Sequence, residues 1–233
     1  MKTLTFEKVS FTRSGFRLDI DGTFGPGIHL VSGRVGSGKS TFSLLAAGLI
    51  SPSSGEIRRE GLSRSVLSMQ FPEYHVTGIR IADEIGSWGL AVPGILACAR
   101  LTGRGNDDIA TLSRGELKRL HLSCVLSAGA DLLVLDEPFS ALDCTEKKSL
   151  SDAIAGYGKG IIIICTHEPL WLPDVNYIWE LQDGAMKFCG KVPGAISRWS
   201  IAPRHIRNLL KQGIIPENIS PRALMEARCR TRG

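Results

Sequence analysis

The chain has 233 residues, 43% hydrophobic and 22% charged, an ordinary globular balance with room for one large domain or two small ones. No apolar run approaches the ~18 residues that cross a bilayer; the strongest, "GIIIIC" at 160–165, is far shorter. The net charge of +5 is concentrated from Lys191 onward, where nine Lys/Arg face two Glu, so the body is slightly acidic and no nucleic-acid partner is expected.

The start, "MKTLTFEKVSF", lacks the apolar centre of a signal peptide, and a cytosolic beginning is expected. "LTFEKVSF" and "FRLDIDGTF" alternate apolar and polar residues and are joined by "TRSG", which predicts a hairpin with one buried face. "GIHLVS" (27–32) reads as a strand, "STFSLLAAGLI" (40–50) as a helix and "SVLSMQ" (65–70) as another strand. From Phe71 to Thr111, helical patches are broken by Gly and Pro, with a turn at "TGRGNDD"; this predicts an inserted helical lobe. "ELKRLHLSCVLSAGA" follows as a helix. "DLLVLDE" and "GIIIICTH" are continuous apolar runs of the kind found in parallel strands buried on both faces. "APRHIRNLLKQ" and "SPRALMEARCR" predict short helices with Pro near their starts. The basic tail that contains them could meet an acidic partner or an anionic membrane, or be only a solvated face. The six cysteines form no C-x-x-C pair and have no His at ligand spacing, which predicts reduced, structural thiols.

Chemistry enters at "LVSGRVGSGKSTF" (30–42), where Gly33, Gly38, Lys39 and Ser40 fit G-x-x-x-x-G-K-[ST] between a strand and a helix. Glycines let the backbone wrap, so that successive N–H groups and the positive helix end point at one anion. Lys39 is then placed for the β- and γ-phosphates and Ser40 for Mg²⁺. Such a site needs a carboxylate at a neighbouring strand end, and "LLVLDEP" delivers Asp136 there, followed by Glu137. Asp136 suits the metal, leaving Glu137 to polarise an attacking water. "LSRGE" (112–116) is an S-x-x-E capping box on its own, a plain helix start.

The order of these segments, however, resembles that of an ATP-binding cassette (ABC) ATPase over roughly residues 2–190. The resemblance implies a P-loop α/β core with a mostly parallel sheet, an N-terminal antiparallel β subdomain and a helical lobe at about 71–111. Residues 191–233 would be a basic C-terminal helical extension. Gly33, Arg34, Val35, Gly36, Ser37, Gly38, Lys39, Ser40 and Thr41 match the Walker A motif and would bind ATP. Gln70 matches the Q-loop, a catalytic and metal-contacting position. Ser113 and Gly115 match the signature motif, Asp136 and Glu137 Walker B, Ser140 to Asp143 the D-loop, and His167 the switch histidine. The resemblance thus implies Glu137, His167 and Gln70 as catalytic, Ser40, Gln70 and Asp136 as Mg²⁺ contacts, and Ser113, Gly115 and Asp143 as further nucleotide contacts. Two departures stand out. Arg114 replaces the first signature glycine and Glu116 the usual Gln; and Arg13, with Phe11 and Phe16 nearby, lies where an adenine-stacking aromatic is expected.

"QFPEYHVTG" (70–78) resembles the segment that opens the lobe in ATPases of energy-coupling factor importers, which take up vitamins and transition-metal ions. Taken alone, "FPEY" is a Pro-started turn packing an aromatic. The resemblance implies an integral membrane transport subunit, a second cassette of the same or another kind, and a peripheral place on the cytoplasmic face of the membrane. The alternative is a soluble, non-transport ABC ATPase such as an iron–sulfur assembly scaffold. A P-loop small-molecule kinase does not account for "LSRGE" and His167.

Overall fold

In the computed structural model, which describes residues 2–158 and 160–229, β1 (Thr3–Arg13) and β2 (Phe16–Phe24) pair antiparallel as expected. Ser14 and Gly15 both take positive φ, 48° and 80°, the conformation that a two-residue turn needs to follow the strand twist. β4 (Ser54–Glu60) adds to the free edge of β1. It alternates charged residues with few apolar ones, so its pattern is weak in the sequence.

Four strands run parallel beside this layer: β3 (Gly27–Gly33), β5 (Ser65–Ser68), β6 (Leu132–Asp136) and β7 (Ile161–Thr166). With β8 (Tyr177–Gln182) and β9 (Ala185–Lys191), the nine-stranded sheet has the order β4-β1-β2-β9-β8-β3-β7-β6-β5 and is mostly parallel. β8 and β9 are additions to the expected set, joined through Asp183 and Gly184 at φ 50° and 74°.

Leu132 and Val134 of β6 face one core with Phe6, Phe24, Phe42 and Trp179. Leu133 and Leu135 face the other, with Ile162, Ile164 and Ile178. Both faces are therefore buried, the reason these runs read as continuously apolar.

α1 (Lys39–Ala47) covers the first face and ends at Gly48, whose φ of 79° stops the helix short of the expected Ile50. α4 (Arg114–Ser127) and α5 (Cys144–Ala155) cover the second. The segment 71–111 holds two short 3-10 turns, α2 (Ile81–Ser87) and α3 (Val92–Cys98), around a small core of its own. Leu120 and Cys124 of α4 belong to that core, and Leu122 and Val125 to the sheet's, so α4 ties lobe to body. Past residue 190, α6 (Gly194–Arg198), α7 (Arg204–Lys211) and α8 (Pro221–Cys229) place Ile196, Ile206, Leu209 and Leu224 in the same core as β6 and β7. Arg230 and Arg232 of the basic tail lie outside the described residues. Among the described residues, no single helix is long and apolar enough to cross a membrane.

Candidate functional site

β3 ends at Gly33, where a Cβ would lie 2.6 Å from the Leu181 carbonyl oxygen. Gly36 and Gly38 follow at φ 81° and 107°, a backbone that side chains resist. α1 starts on Gly38 with no side chain capping its first N–H groups. These donors and the positive helix end are thus left for an anion.

Lys39 is nearly buried and donates from Nζ to the carbonyls of Gly33 and Arg34, each at 3.0 Å. Its ammonium is also 3.6 Å from Glu137 Oε1. Burial of this cation inside the loop is tolerable because oxygens surround it.

β6 brings Asp136 and Glu137 to the same end of the sheet. Asp136 is 3% exposed, and its Oδ1 has no hydrogen-bond partner. Burial pushes its carboxyl pKa up; a Ser40 hydroxyl contact opposes this, and the neighbouring Glu137 charge adds to it. A lone buried carboxylate oxygen beside a hydroxyl is an all-oxygen donor set that fits a hard cation such as Mg²⁺. Among the described residues, no group of three or more His, Cys, Asp or Glu could hold another kind of metal. All six cysteines are free thiols, three of them buried.

Glu137 sits at φ 47°, a backbone strain for a non-glycine residue that marks the strand end as over-determined by its surroundings. Its Oε2 accepts from Thr166 Oγ1 at 2.8 Å. Its Oε1 accepts from the His167 backbone N–H at 3.0 Å and from Nδ1 at 2.7 Å. The carboxylate only accepts, so Nδ1 carries the proton in this contact. Thr166 is held in turn by the Glu168 N–H at 3.1 Å.

The structure thus gathers the loop, Lys39, Asp136, Glu137 and His167 at the carboxyl ends of β3, β6 and β7, where open α/β sheets bind ligands. Gln70 lies just past β5, and its carbonyl accepts from Lys118 Nζ at 3.2 Å. Among the described residues, no hydrogen bond or ion pair joins Ser113 or Gly115 to the loop. Ser113 caps α4, accepting from Glu116 N–H at 3.3 Å, and Glu116 Oε2 accepts from Ser113 N–H at 2.8 Å and from its hydroxyl at 2.7 Å. Asp143 caps α5 in the same way with Glu146. The Arg114 guanidinium is turned toward the lobe, 5.2 Å from the Phe71 ring centroid.

Three residues join the site that sequence reasoning did not assign to it. Thr166 holds Glu137; a hydroxyl next to the histidine in "ICTH" was the available signal. Phe16 borders a cavity of about 270 Å³ shared with Gly36, Gly38, Lys39, Ser40 and Thr41. Lys118 is 1% exposed on α4; burial pushes its pKa down to about 8, while Asp136 pulls it up. A lysine in a helix gives no sign in sequence that it points inward.

The ABC transporter family model matches residues 19–140, just over half of the chain. An energy-coupling factor transporter ATP-binding protein EcfA1 from Thermotoga maritima is 30% identical, with 80% of this chain and 81% of that protein aligned. The biotin transport ATP-binding protein BioM from Rhodobacter capsulatus is 29% identical, covering 74% and 82%. A solved ATP-binding subunit of an ABC transporter superposes with a TM-score of 0.73 over 90% of this chain and 98% of that one, at 19% identity, which speaks for the fold. The family match and the relative at 30% identity show that the chain belongs to the ABC transporter family, as one of its ATP-binding ATPases.

Proposed function

We propose that this chain energises an importer of a micronutrient, a vitamin or a transition-metal ion, from the cytoplasmic face of the membrane through a separate integral membrane subunit. The observation that carries this reading is the set of exposed apolar side chains on the entry to the lobe, where Phe71 and Tyr74 meet edge to face. Tyr74 is 74% exposed, Ile79 77% and Phe71 38%, while the lobe's own core behind them is closed. An aromatic patch of this kind suits a protein partner rather than water. The energy-coupling factor transporter and biotin transport relatives named above support the same direction.

Within this reading, residues 33–41 cradle the phosphates of ATP, with Lys39 on the β- and γ-phosphates. Ser40, Asp136 and Gln70 hold Mg²⁺, which when bound spreads the phosphate charge. Glu137 accepts a proton from the attacking water and His167 holds the γ-phosphate. Phe16 offers a ring face beside the loop for the adenine. Ser113, Gly115 and Asp143 serve a nucleotide on a second cassette, which explains why they stand apart from the loop of their own chain. Residues 1–190 are the cassette, with the lobe 71–111 inserted, and 191–233 its C-terminal extension. Affinity purification from solubilised membranes tests the reading. Recovery of an integral membrane subunit is expected, and its absence with an intact, ATP-binding chain would refute the transport role.

A further inference from the structure

Arg114 and Lys118 stand one turn apart on α4 and reach different residues of the same short segment, Met69 to Glu73. Lys118 Nζ donates to the Met69 carbonyl at 3.4 Å and the Gln70 carbonyl at 3.2 Å, fully inside the protein. Arg114 Nε is 3.5 Å from Glu73 Oε1, with its guanidinium over the Phe71 ring, within cation–π range. Met69 to Glu73 is the exit of β5 and the entry to the lobe. Of the two links, the one from Lys118 is the stiffer, since its ammonium is fully buried and depends on the carbonyls it meets. The Arg114 link is half-exposed and weaker.

We propose that Lys118 and Arg114 are positioning residues that fasten the exit of β5, with Gln70, to the head of α4. Gln70 and the Ser113–Gly115 face then move as one body. A partner that displaces Phe71 and Tyr74 would transmit that displacement to Ser113 and Gly115 through these two side chains. The arginine in place of the signature glycine is, on this account, a second fastener. The catalytic consequence rests on the site roles proposed above; the joint motion does not.

Amide hydrogen exchange, ATP affinity and turnover are measured on the chain and on Lys118→Met, Lys118→Gln and Arg114→Ala. Lys118→Met should speed exchange about tenfold both at 70–75 and at 114–118, because two carbonyls of the one segment lose their buried donor on the other. Its turnover should fall at least about tenfold with ATP affinity unchanged within about twofold, since the phosphate loop is untouched. Lys118→Gln keeps a donor and should recover part of both losses. Arg114→Ala removes an exposed side chain, should shift the folding equilibrium by less than about 2.3-fold (about 0.5 kcal/mol), and should speed exchange about threefold in both segments. Exchange that rises in only one segment, or in neither, overturns the proposal, as does wild-type turnover in Lys118→Met. Lys39→Ala is the separate control: undiminished ATP affinity there would refute the phosphate-loop reading and leave the exchange result standing.

Discussion

Glu137→Gln removes one negative charge and almost no bulk. The carboxylate is nearly buried, with Oε1 receiving two His167 donors and Oε2 the Thr166 hydroxyl. An amide oxygen in the Oε1 place keeps both His167 contacts. The amide nitrogen then meets Thr166, whose hydroxyl can turn from donor to acceptor while still taking the Glu168 N–H at 3.1 Å. The pocket therefore takes the amide without repacking, and the variant tests the charge alone. Losing a general base costs ~10²–10⁴-fold in turnover, or roughly 3–5 kcal/mol in the barrier. Lys39 loses a carboxylate 3.6 Å away, so its ammonium is freer for phosphate and ATP affinity should hold or rise. Phosphate release and sedimentation with Mg²⁺ and ATP are the assays. At least a hundredfold slower turnover (~10² by the same estimate) is expected, together with an ATP-dependent, ADP-insensitive shift from monomer to dimer in this or a paired cassette. Adding Ser113→Arg should abolish that shift. Turnover above about a tenth of wild type would refute Glu137 as the base, and weakened ATP binding would refute the argument that the amide fits.

Lys39→Ala should lower ATP affinity about 10–100-fold, the worth of a charge-assisted contact, and take turnover to background; a nucleotide titration decides it. Tyr74→Glu changes an exposed ring and should shift folding stability by less than about 0.5 kcal/mol while breaking co-purification with a membrane subunit. Gly115→Ala should leave the melting temperature unchanged or slightly raised and weaken only the ATP-dependent dimer, read by sedimentation. Stability should also fall in acid. His29 is buried, with Nδ1 accepting from Trp179 Nε1–H at 3.1 Å and Nε2 2.8 Å from the Gly25 carbonyl, and burial lowers its pKa to about 4. It stays neutral in the fold, whereas the unfolded chain binds a proton below about pH 6.5, so stability is lost as pH falls from 6.5 toward 4. The loss by pH 5 is about 2 kcal/mol from this residue, and denaturant titrations at pH 7 and 5 should show it shrink in His29→Gln.

The parts of this fold legible in sequence were those whose pattern is set by local physics. The Ser14–Gly15 turn, the two-sided apolar runs of β6 and β7 and the glycine spacing of 33–38 each follow from backbone or burial rules that leave a trace in one short window. Two misses were also legible. Asp183–Gly184 is a hairpin turn between apolar runs, and Asp143 with Glu146 is the same capping box that "LSRGE" displays. What was not legible is which way a polar side chain points. On α4 the apolar Leu117 is only partly buried, while its neighbour Lys118 is enclosed, the reverse of what their hydrophobicities predict. The backbone carbonyls that receive the ammonium and the nearby Asp136 charge explain this, and they belong to other segments. Nor can a pattern show that the apolar face of α7 shares the core of β6 and β7, because that contact joins residues far apart in the chain.

Arg114 is the departure that most tests the reading of the signature segment, and its backbone bears on the question. A glycine is required where φ is positive or where another group comes too close for a Cβ. Residue 114 opens α4 with no positive φ, and its capping contacts use Ser113 and Glu116, so arginine costs no backbone strain there. Gly115 has no positive φ either, and a Cβ on it would meet the Ala141 carbonyl oxygen at 3.7 Å, an ordinary contact. The chain's own fold thus demands glycine at neither position. Gly33 and Gly38 are different, since a Cβ on either would collide with the chain's own atoms. A small residue that its own fold does not need is free to serve an approach from outside, and Gly115 lies beside the exposed Ser113, whose hydroxyl is bonded to Glu116. At 114 the bulk is drawn aside toward Phe71 and Glu73, which leaves that approach open.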